Sequence, residues 1–155
     1  MKFVRECAIK APPGAVFDFH ESPDALRQLI PPWENMRIVE STGSLRKGSR
    51  VVLAGRVLGI IPVRWVAVHT EYDPPRLFAD VQESGPFAWW YHRHLFLDDG
   101  AGGTILRDEI EYLLPFGKAG SLAGGWFVRR KLNAMFQFRH ETTRRLIESQ
   151  MAPGP

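Results

Sequence analysis

Alternating hydrophobic and polar residues run through the middle of the chain and predict a series of β-strands. A first strand covers residues 2–9, and Pro12-Pro13-Gly14 ends it. Further stretches show the two-residue period of strands, with turns rich in Gly, Pro and Asp between them. These stretches are residues 36–40, 50–58, 63–72, 77–82, 88–97 and 104–114. Because short turns cannot hold crossovers, the pattern predicts an antiparallel sheet.

Two short helices are predicted directly after the first strand. Residues 15–20 are apolar enough to form one of them. The second opens at Ser22-Pro23-Asp24, where serine can cap the helix and proline suits the first helical position. Pro31-Pro32 ends it.

A long amphipathic helix is predicted at the end of the chain, from Leu122 or Trp126 to about Ser149. The glycine-rich residues 117–125 before it predict a hinge or loop. Helical spacing predicts a buried stripe that contains Val128, Leu132, Met135, Phe136, Arg139, Thr143 and Leu146.

This order of elements predicts an α+β fold. A curved antiparallel sheet of six to seven strands would wrap around the long C-terminal helix, whose apolar stripe must be buried against the sheet. Twisted strands around one helix leave space between the two, so the pattern also predicts a pocket. With 155 residues the chain should form a single domain over residues 1–150, followed by a frayed tail at 151–155.

Charge and composition exclude several classes of protein. A net charge of +3 is too small to indicate a nucleic-acid partner. The most hydrophobic span, residues 51–68, contains Arg56, Pro62 and Arg64, so no integral membrane segment is expected. The single Cys7 and an N-terminus without an apolar signal core predict a cytoplasmic protein. Whether the chain forms a homodimer is left open.

The strand at 88–97 carries an unusual set of side chains on one face. Alternation places His92 and His94 together, between Trp90 and Phe96, while Arg93 marks the outer face. On the next strand, Arg107 marks the outer face, so alternation places Asp108 on the inner face among mostly apolar residues. That inner set is Thr104, Leu106, Asp108, Ile110, Tyr112 and Leu114.

Pairing Leu97 with Thr104, within an error of a residue or two, would put Asp108 between the two histidines. The group would then be a structural polar network, a ligand-contacting wall or an acid/base pair. Metal binding is a rival interpretation, with Asp108 as third ligand of a His-x-His site. No fourth ligand is evident, so neither a metal nor a cofactor is expected.

Other polar residues give separate expectations. Arg139 on the buried stripe needs Asp80, Asp108 or an anionic ligand as its partner, or else extends to the pocket mouth. His20 and His69 are expected at the surface or at strand ends. Trp33 and Trp126 would be exposed.

Several motifs resemble the helix-grip superfamily called SRPBCC, which includes START lipid-transfer domains, pollen-allergen-like proteins and polyketide cyclases. The motifs are residues 11–20, 29–33, 78–82, 85–87, 90–96, 104–115 and 132–139. The likeness is greatest to a stand-alone, bacterial, cyclase/dehydrase-like subgroup. The resemblance implies that Phe78, Asp80 and Gln82 face inward. It also implies a ligand between helix and sheet, while some members are enzymes.

The expected function is therefore binding of a small hydrophobic or amphipathic molecule, lipid-like or polyketide-like. One alternative is a cyclase or dehydratase that uses His92 or His94 with Asp108. A second is a protein-interaction module that docks through Trp33 and Trp126. The predicted ligand-binding residues are Trp65, Phe78, Asp80, Gln82, Trp90, His92, His94, Phe96, Asp108, Tyr112, Leu132, Phe136 and Arg139.

Overall fold

A computed structural model describes residues 1–57 and 59–151 as one sheet with three helices. The strands are β1 (Lys2–Ile9), β2 (Asn35–Ser41), β3 (Arg50–Val57), β4 (Ile61–Asp73), β5 (Leu77–Ser84), β6 (Trp89–Asp98) and β7 (Thr104–Leu113). The helices are α1 (Pro13–Glu21), α2 (Ala25–Gln28) and α3 (Gly117–Met151). Each predicted strand is present, and the predicted end of the third at Leu58 lies outside the described residues. So does most of the predicted frayed tail, 152–155, and the prediction of one domain stays untested.

The strands form a single antiparallel sheet in the order β1-β7-β6-β5-β4-β3-β2. Consecutive strands from β2 to β7 are neighbours, and β1 closes the other side against β7. The α+β fold with a long C-terminal helix is therefore confirmed. Among the described residues, no helix is long and apolar enough to cross a membrane.

The register of the β6–β7 hairpin differs by one residue from the expected one. Asp98, rather than Leu97, pairs with Thr104, so His94 lies directly opposite Asp108 and His92 opposite Ile110. The Asp99 carboxylate explains the shorter loop, because its Oδ1 accepts hydrogen bonds from the backbone N–H groups of Ala101 and Gly103.

Two helix boundaries correct the sequence interpretation. The glycine-rich segment is not a hinge, since α3 already begins at Gly117. Gly120 permits this start because a β-carbon there would collide with the Pro115 carbonyl oxygen. The second short helix begins at Ala25, because the Ser22 hydroxyl donates backwards to the Phe19 carbonyl at the end of α1 instead of capping α2.

The buried stripe of α3 agrees with the predicted one in the first half of the helix and differs from it by one residue at two positions in the second half. Leu132, Phe136 and Thr143 are buried as expected, but His140 and Ile147 complete the stripe instead of Arg139 and Leu146. The spacing 132-136-140-143-147 keeps these side chains on one face of a helix with 3.6 residues per turn. In the C-terminal half of α3, the predicted residues Arg139 and Leu146 each precede the buried residue by one position.

The core consists of two apolar clusters with polar residues between them. One contains Phe17, Phe78 and Phe96, and the other contains Trp90 and Phe136. Along β6 the inward residues run Trp90, His92, His94, Phe96, so the histidines separate the aromatic anchors of the two clusters. This arrangement leaves a polar strip across the middle of the inner face.

Candidate functional site

A pocket of about 570 Å³ lies between the sheet and α3. Its walls are mostly apolar and include Trp65 from β4, Trp90 from β6 and Phe136 from α3. Trp65 meets Trp90 edge-on, with ring centroids 4.9 Å apart. The sheet supplies one side of the pocket, and α3 with the α1–α2 segment supplies the others.

All five histidines of the chain border this pocket, together with two aspartates. We call one group of them the polar cluster: Asp80, His92, His94, Asp108 and His140. Strands β5, β6 and β7 and helix α3 each contribute to it, so it joins the sheet to the helix at the centre of the fold.

Asp108 is the hub of the polar cluster. Its Oδ1 lies 2.6 Å from His92 Nε2 and 2.9 Å from His94 Nδ1, and its Oδ2 lies 2.5 Å from His140 Nε2. The carboxylate is buried, with 3% of the residue exposed. Three imidazole donors satisfy a charge that would otherwise be costly to bury.

The electrostatics of the cluster follow from this contact geometry. Burial would raise the pKa of Asp108, but His94, His140 and His92 outweigh it and hold that pKa well below its usual range. Burial would lower the pKa of His140, but its hydrogen bond to Asp108 raises it to about 9. Asp108 and His140 therefore form a buried ion pair between β7 and α3 at neutral pH.

The two histidines of β6 are shifted in opposite directions. Burial, followed by the neighbouring His94, lowers the pKa of His92. For His94, burial is outweighed by the charge of Asp108 and by Asp80, so its pKa is raised. The ring centroids are 3.8 Å apart, and Phe78 stacks on His94 at 4.0 Å.

Three histidines were missed or misplaced by the sequence reasoning. His20 and His69 were expected at the surface or at strand ends, but both border the pocket. Burial lowers the pKa of His20 to about 4, and its Nδ1 is 2.8 Å from the Val16 carbonyl oxygen. His69 is 6% exposed and bonds to the Ser49 carbonyl. His140 was not considered, although its position four residues after Phe136 marked it as inward.

Arg139 borders the pocket but does not contact Asp80 or Asp108. Its Nε donates to the Leu29 carbonyl at 3.2 Å, and the guanidinium lies 5.2 Å from the Phe136 ring centroid. Within residues 1–57 and 59–151 it forms no ion pair. Burial lowers the pKa of Arg139. The expected carboxylate partner is thus replaced by a carbonyl and an aromatic face, while the anionic-ligand alternative stays open.

Most of the predicted ligand-binding residues border the pocket. These are Trp65, Phe78, Asp80, Trp90, His92, His94, Asp108, Leu132, Phe136 and Arg139. Phe96 and Tyr112 are instead buried in the two apolar clusters. The Gln82 amide is bonded in both directions to the Phe87 backbone, so it holds the turn before β6. These ten residues border the pocket, but their contact with a ligand stays a prediction.

The exposed tryptophans are where the sequence placed them. Trp33 is 56% exposed and packs edge-on against Phe138, and Trp126 is 73% exposed beside Arg130. Nothing in this arrangement identifies a partner, so docking through Trp33 and Trp126 stays a prediction.

No protein-family model and no curated protein sequence matches the chain. Solved structures do. A norcoclaurine synthase point mutant from Thalictrum flavum, in complex with a transition-state analogue, matches with a TM-score of 0.74. The match covers 98% of this chain and 96% of that one at 12% identity.

Two longer proteins contain a similar domain. The di-domain ARO/CYC protein BexL from the BE-7585A biosynthetic pathway matches 99% of this chain and 48% of its own, with 17% identity and a TM-score of 0.69. A nucleoside-diphosphate sugar epimerase from Corynebacterium glutamicum matches 90% of this chain and 28% of its own, with 24% identity and a TM-score of 0.64. These likenesses confirm the helix-grip fold. At sequence identities this low, structural similarity shows the fold and nothing further. Membership of the stand-alone bacterial subgroup therefore stays a prediction.

Proposed function

We propose that this protein binds a small hydrophobic or amphipathic molecule, lipid-like or polyketide-like, in the pocket between the sheet and α3. The observation that carries the proposal is the pocket itself, about 570 Å³ in volume, with aromatic walls and the polar cluster at one side. Pockets that hold small organic molecules are typically about 300–1,000 Å³, mostly apolar, with a few convergent polar groups.

Polar atoms beside the pocket suggest how such a molecule would be oriented. Trp90 Nε1, His140 Nδ1 and Thr143 Oγ1 are buried and have no hydrogen-bond partner among the described residues. Leaving such atoms unpaired is costly, and a bound molecule or water would offset that cost. Arg139 adds positive charge at the same pocket, which favours a ligand with an anionic or strongly polar end.

Native mass spectrometry of the protein purified from cells, followed by calorimetry with a panel of fatty acids and aromatic polyketides, tests this proposal. We expect one molecule per chain and a negative heat-capacity change, which marks burial of apolar surface. If no member of the panel binds and no molecule is carried through purification, the proposal fails.

An enzymatic function is the second candidate, and one observation favours it. His92 and His94 are adjacent, yet the pKa of one is lowered and that of the other is raised. A neighbouring base and acid of this kind suit proton transfer in a cyclisation or dehydration. Turnover of a polyketide substrate that His94→Gln abolishes, while binding persists, would support this alternative. Unchanged turnover in that variant would remove His94 from any reaction.

A further inference from the structure

Asp80 faces the two β6 histidines from the side opposite to Asp108. Its Oδ2 lies 3.6 Å from His92 Nδ1 and 3.6 Å from His94 Nε2. These are the ring nitrogens that do not contact Asp108, because His92 uses Nε2 there and His94 uses Nδ1. Asp80 and Asp108 reach opposite nitrogens of the same rings because β5 and β7 lie on opposite sides of β6.

Hydrogen placement follows from the Asp108 contacts. A carboxylate only accepts hydrogen bonds, so His92 Nε2 and His94 Nδ1 must carry their ring hydrogens. In the neutral imidazoles, His92 Nδ1 and His94 Nε2 then hold lone pairs. Asp80, His92 and His94 can each offer one ligand atom, and one such atom from each residue lies within 4.8 Å of the other two. Such atoms repel each other unless a proton or a cation lies among them.

The spacing of these three atoms suits a transition-metal ion. Bonds of about 2.1 Å at tetrahedral angles hold neighbouring ligand atoms about 3.4 Å apart, close to the 3.6 Å between Asp80 Oδ2 and each of the two ring nitrogens. Two histidines and one carboxylate are the protein ligands of many open zinc and non-haem iron sites. Metal-binding histidines also commonly donate their second ring nitrogen to a carboxylate, as both do here to Asp108.

We propose that His92 Nδ1, His94 Nε2 and one Asp80 carboxylate oxygen bind a divalent transition-metal ion of the Zn²⁺ class, with Asp108 as the group that orients both rings. The proposal departs from the expectation that no metal binds, and it puts Asp80 in the place that the rival metal interpretation gave to Asp108. It is also independent of the proposed function, because the metal site is formed by side chains of the protein and needs no organic molecule in the pocket. The remaining coordination positions would face the pocket, which Asp80 and His94 both border.

Titration of the chelator-treated, full-length protein with Co²⁺ and then Zn²⁺ tests this site. We expect one Co²⁺ per chain, the visible absorption of a low-coordinate cobalt site, and its loss when Zn²⁺ displaces the cobalt. Uptake of no metal in either titration overturns the proposal. That result would mean that a proton, shared between His94 and Asp80, is the positive charge among the three atoms.

Matched variants locate the ion if one binds. Asp80→Asn keeps the side-chain shape but removes the anionic ligand, and should weaken Zn²⁺ binding at least about tenfold. Asp18→Asn, at an exposed position of α1, is the matched carboxylate control and should bind Zn²⁺ as the unmodified chain does. Metal binding that Asp80→Asn leaves unchanged overturns the assignment.

Because His92 and His94 also satisfy the buried Asp108 charge, a spectroscopic readout on the intact chain completes the test without removing either. Histidine ring ¹⁵N resonances report which nitrogen binds metal. We expect Zn²⁺ to shift the resonances of His92 Nδ1 and His94 Nε2. The resonances of the protonated nitrogens that face Asp108 should change little. A shift confined to His20 or His69 would contradict the proposal and would place the ion elsewhere in the pocket.

Discussion

His94 lies opposite Asp108 in the β6–β7 ladder, and its Nδ1 is 2.9 Å from the Asp108 Oδ1. The same carboxylate holds His92 from the same strand and His140 from α3. One buried charge thus ties the sheet to the helix beside the pocket. Stability and the shape of the pocket therefore depend on the same residue.

Replacement of Asp108 should destabilise the fold strongly. In Asp108→Asn the three imidazoles lose a charged acceptor, and breaking a buried ion pair costs about 3 kcal/mol or more. Urea denaturation at neutral pH measures the change in the free energy of unfolding. Asp18→Asn, on the exposed side of α1, should stay within about 0.5 kcal/mol of the unmodified chain. Equal stability of the two variants would show that Asp108 is not the hub.

The Asp108–His140 pair predicts a loss of stability at alkaline pH. The pKa of His140 is raised from 6.5 to about 9 in the folded chain. Its contribution is therefore fully present below pH 6.5 and is lost as the pH rises through about 9. The loss is on the order of 3 kcal/mol for a shift of this size.

Unfolding free energies measured across this pH range should fall more steeply for the unmodified chain than for His140→Gln, in which His94, whose pKa is also raised, still titrates. The variant has no imidazole at position 140 to deprotonate, so it serves as the control for every other titrating group. A parallel fall in both proteins would assign the effect to a different residue.

The packing of α1 against the sheet gives a prediction that does not involve the pocket chemistry. Phe17 is 1% exposed and contacts the rings of Tyr72, Phe78 and Phe96. Phe17→Ala should cost about 3–5 kcal/mol because it leaves a cavity in the core. Phe116→Ala removes the same side chain at a position that is 91% exposed, and should change stability by less than about 0.5 kcal/mol.

Arg139 should select ligands with an anionic end, if the pocket binds amphipathic molecules. Arg139→Gln is expected to weaken binding of decanoate about tenfold, because a hydrogen bond to a charged group is lost, and to leave binding of decanol unchanged. Arg130→Gln, an exposed arginine of the same helix, is the control. Calorimetry with both molecules separates loss of charge recognition from loss of the pocket.

The fold was predictable because each strand is an alternating run bounded by strong turn residues. The inward position of Asp108 was predictable too, since Arg107 and Glu109 on either side of it favour the outer face of β7. The prediction of which residues are buried in the C-terminal half of α3 was wrong. His140 and Arg139 are one residue apart on the helix, and a rotation of about 100° exchanges which of them is buried.

The two remaining histidines show a different limit of sequence reasoning. His69 lies at a shift in the β4–β5 register and is held by its bonds to Ser49, which lies just before β3. His20 arrives on α1, whose position depends on packing of Phe17 rather than on its own pattern. Neither contact is local in sequence, so no spacing rule indicates it.

A side chain that fills the pocket should exclude the small molecule that we propose binds there. Ala67 borders the pocket on β4, so Ala67→Phe would place a phenyl ring in it, while Ala101→Phe adds the same ring in the exposed β6–β7 loop. The measurement is titration of each protein with the fluorescent amphipath anilinonaphthalene sulfonate. We expect saturable binding to the unmodified chain and to Ala101→Phe, and at least about tenfold weaker binding to Ala67→Phe. Equal binding to all three, or binding to none, would contradict the proposal.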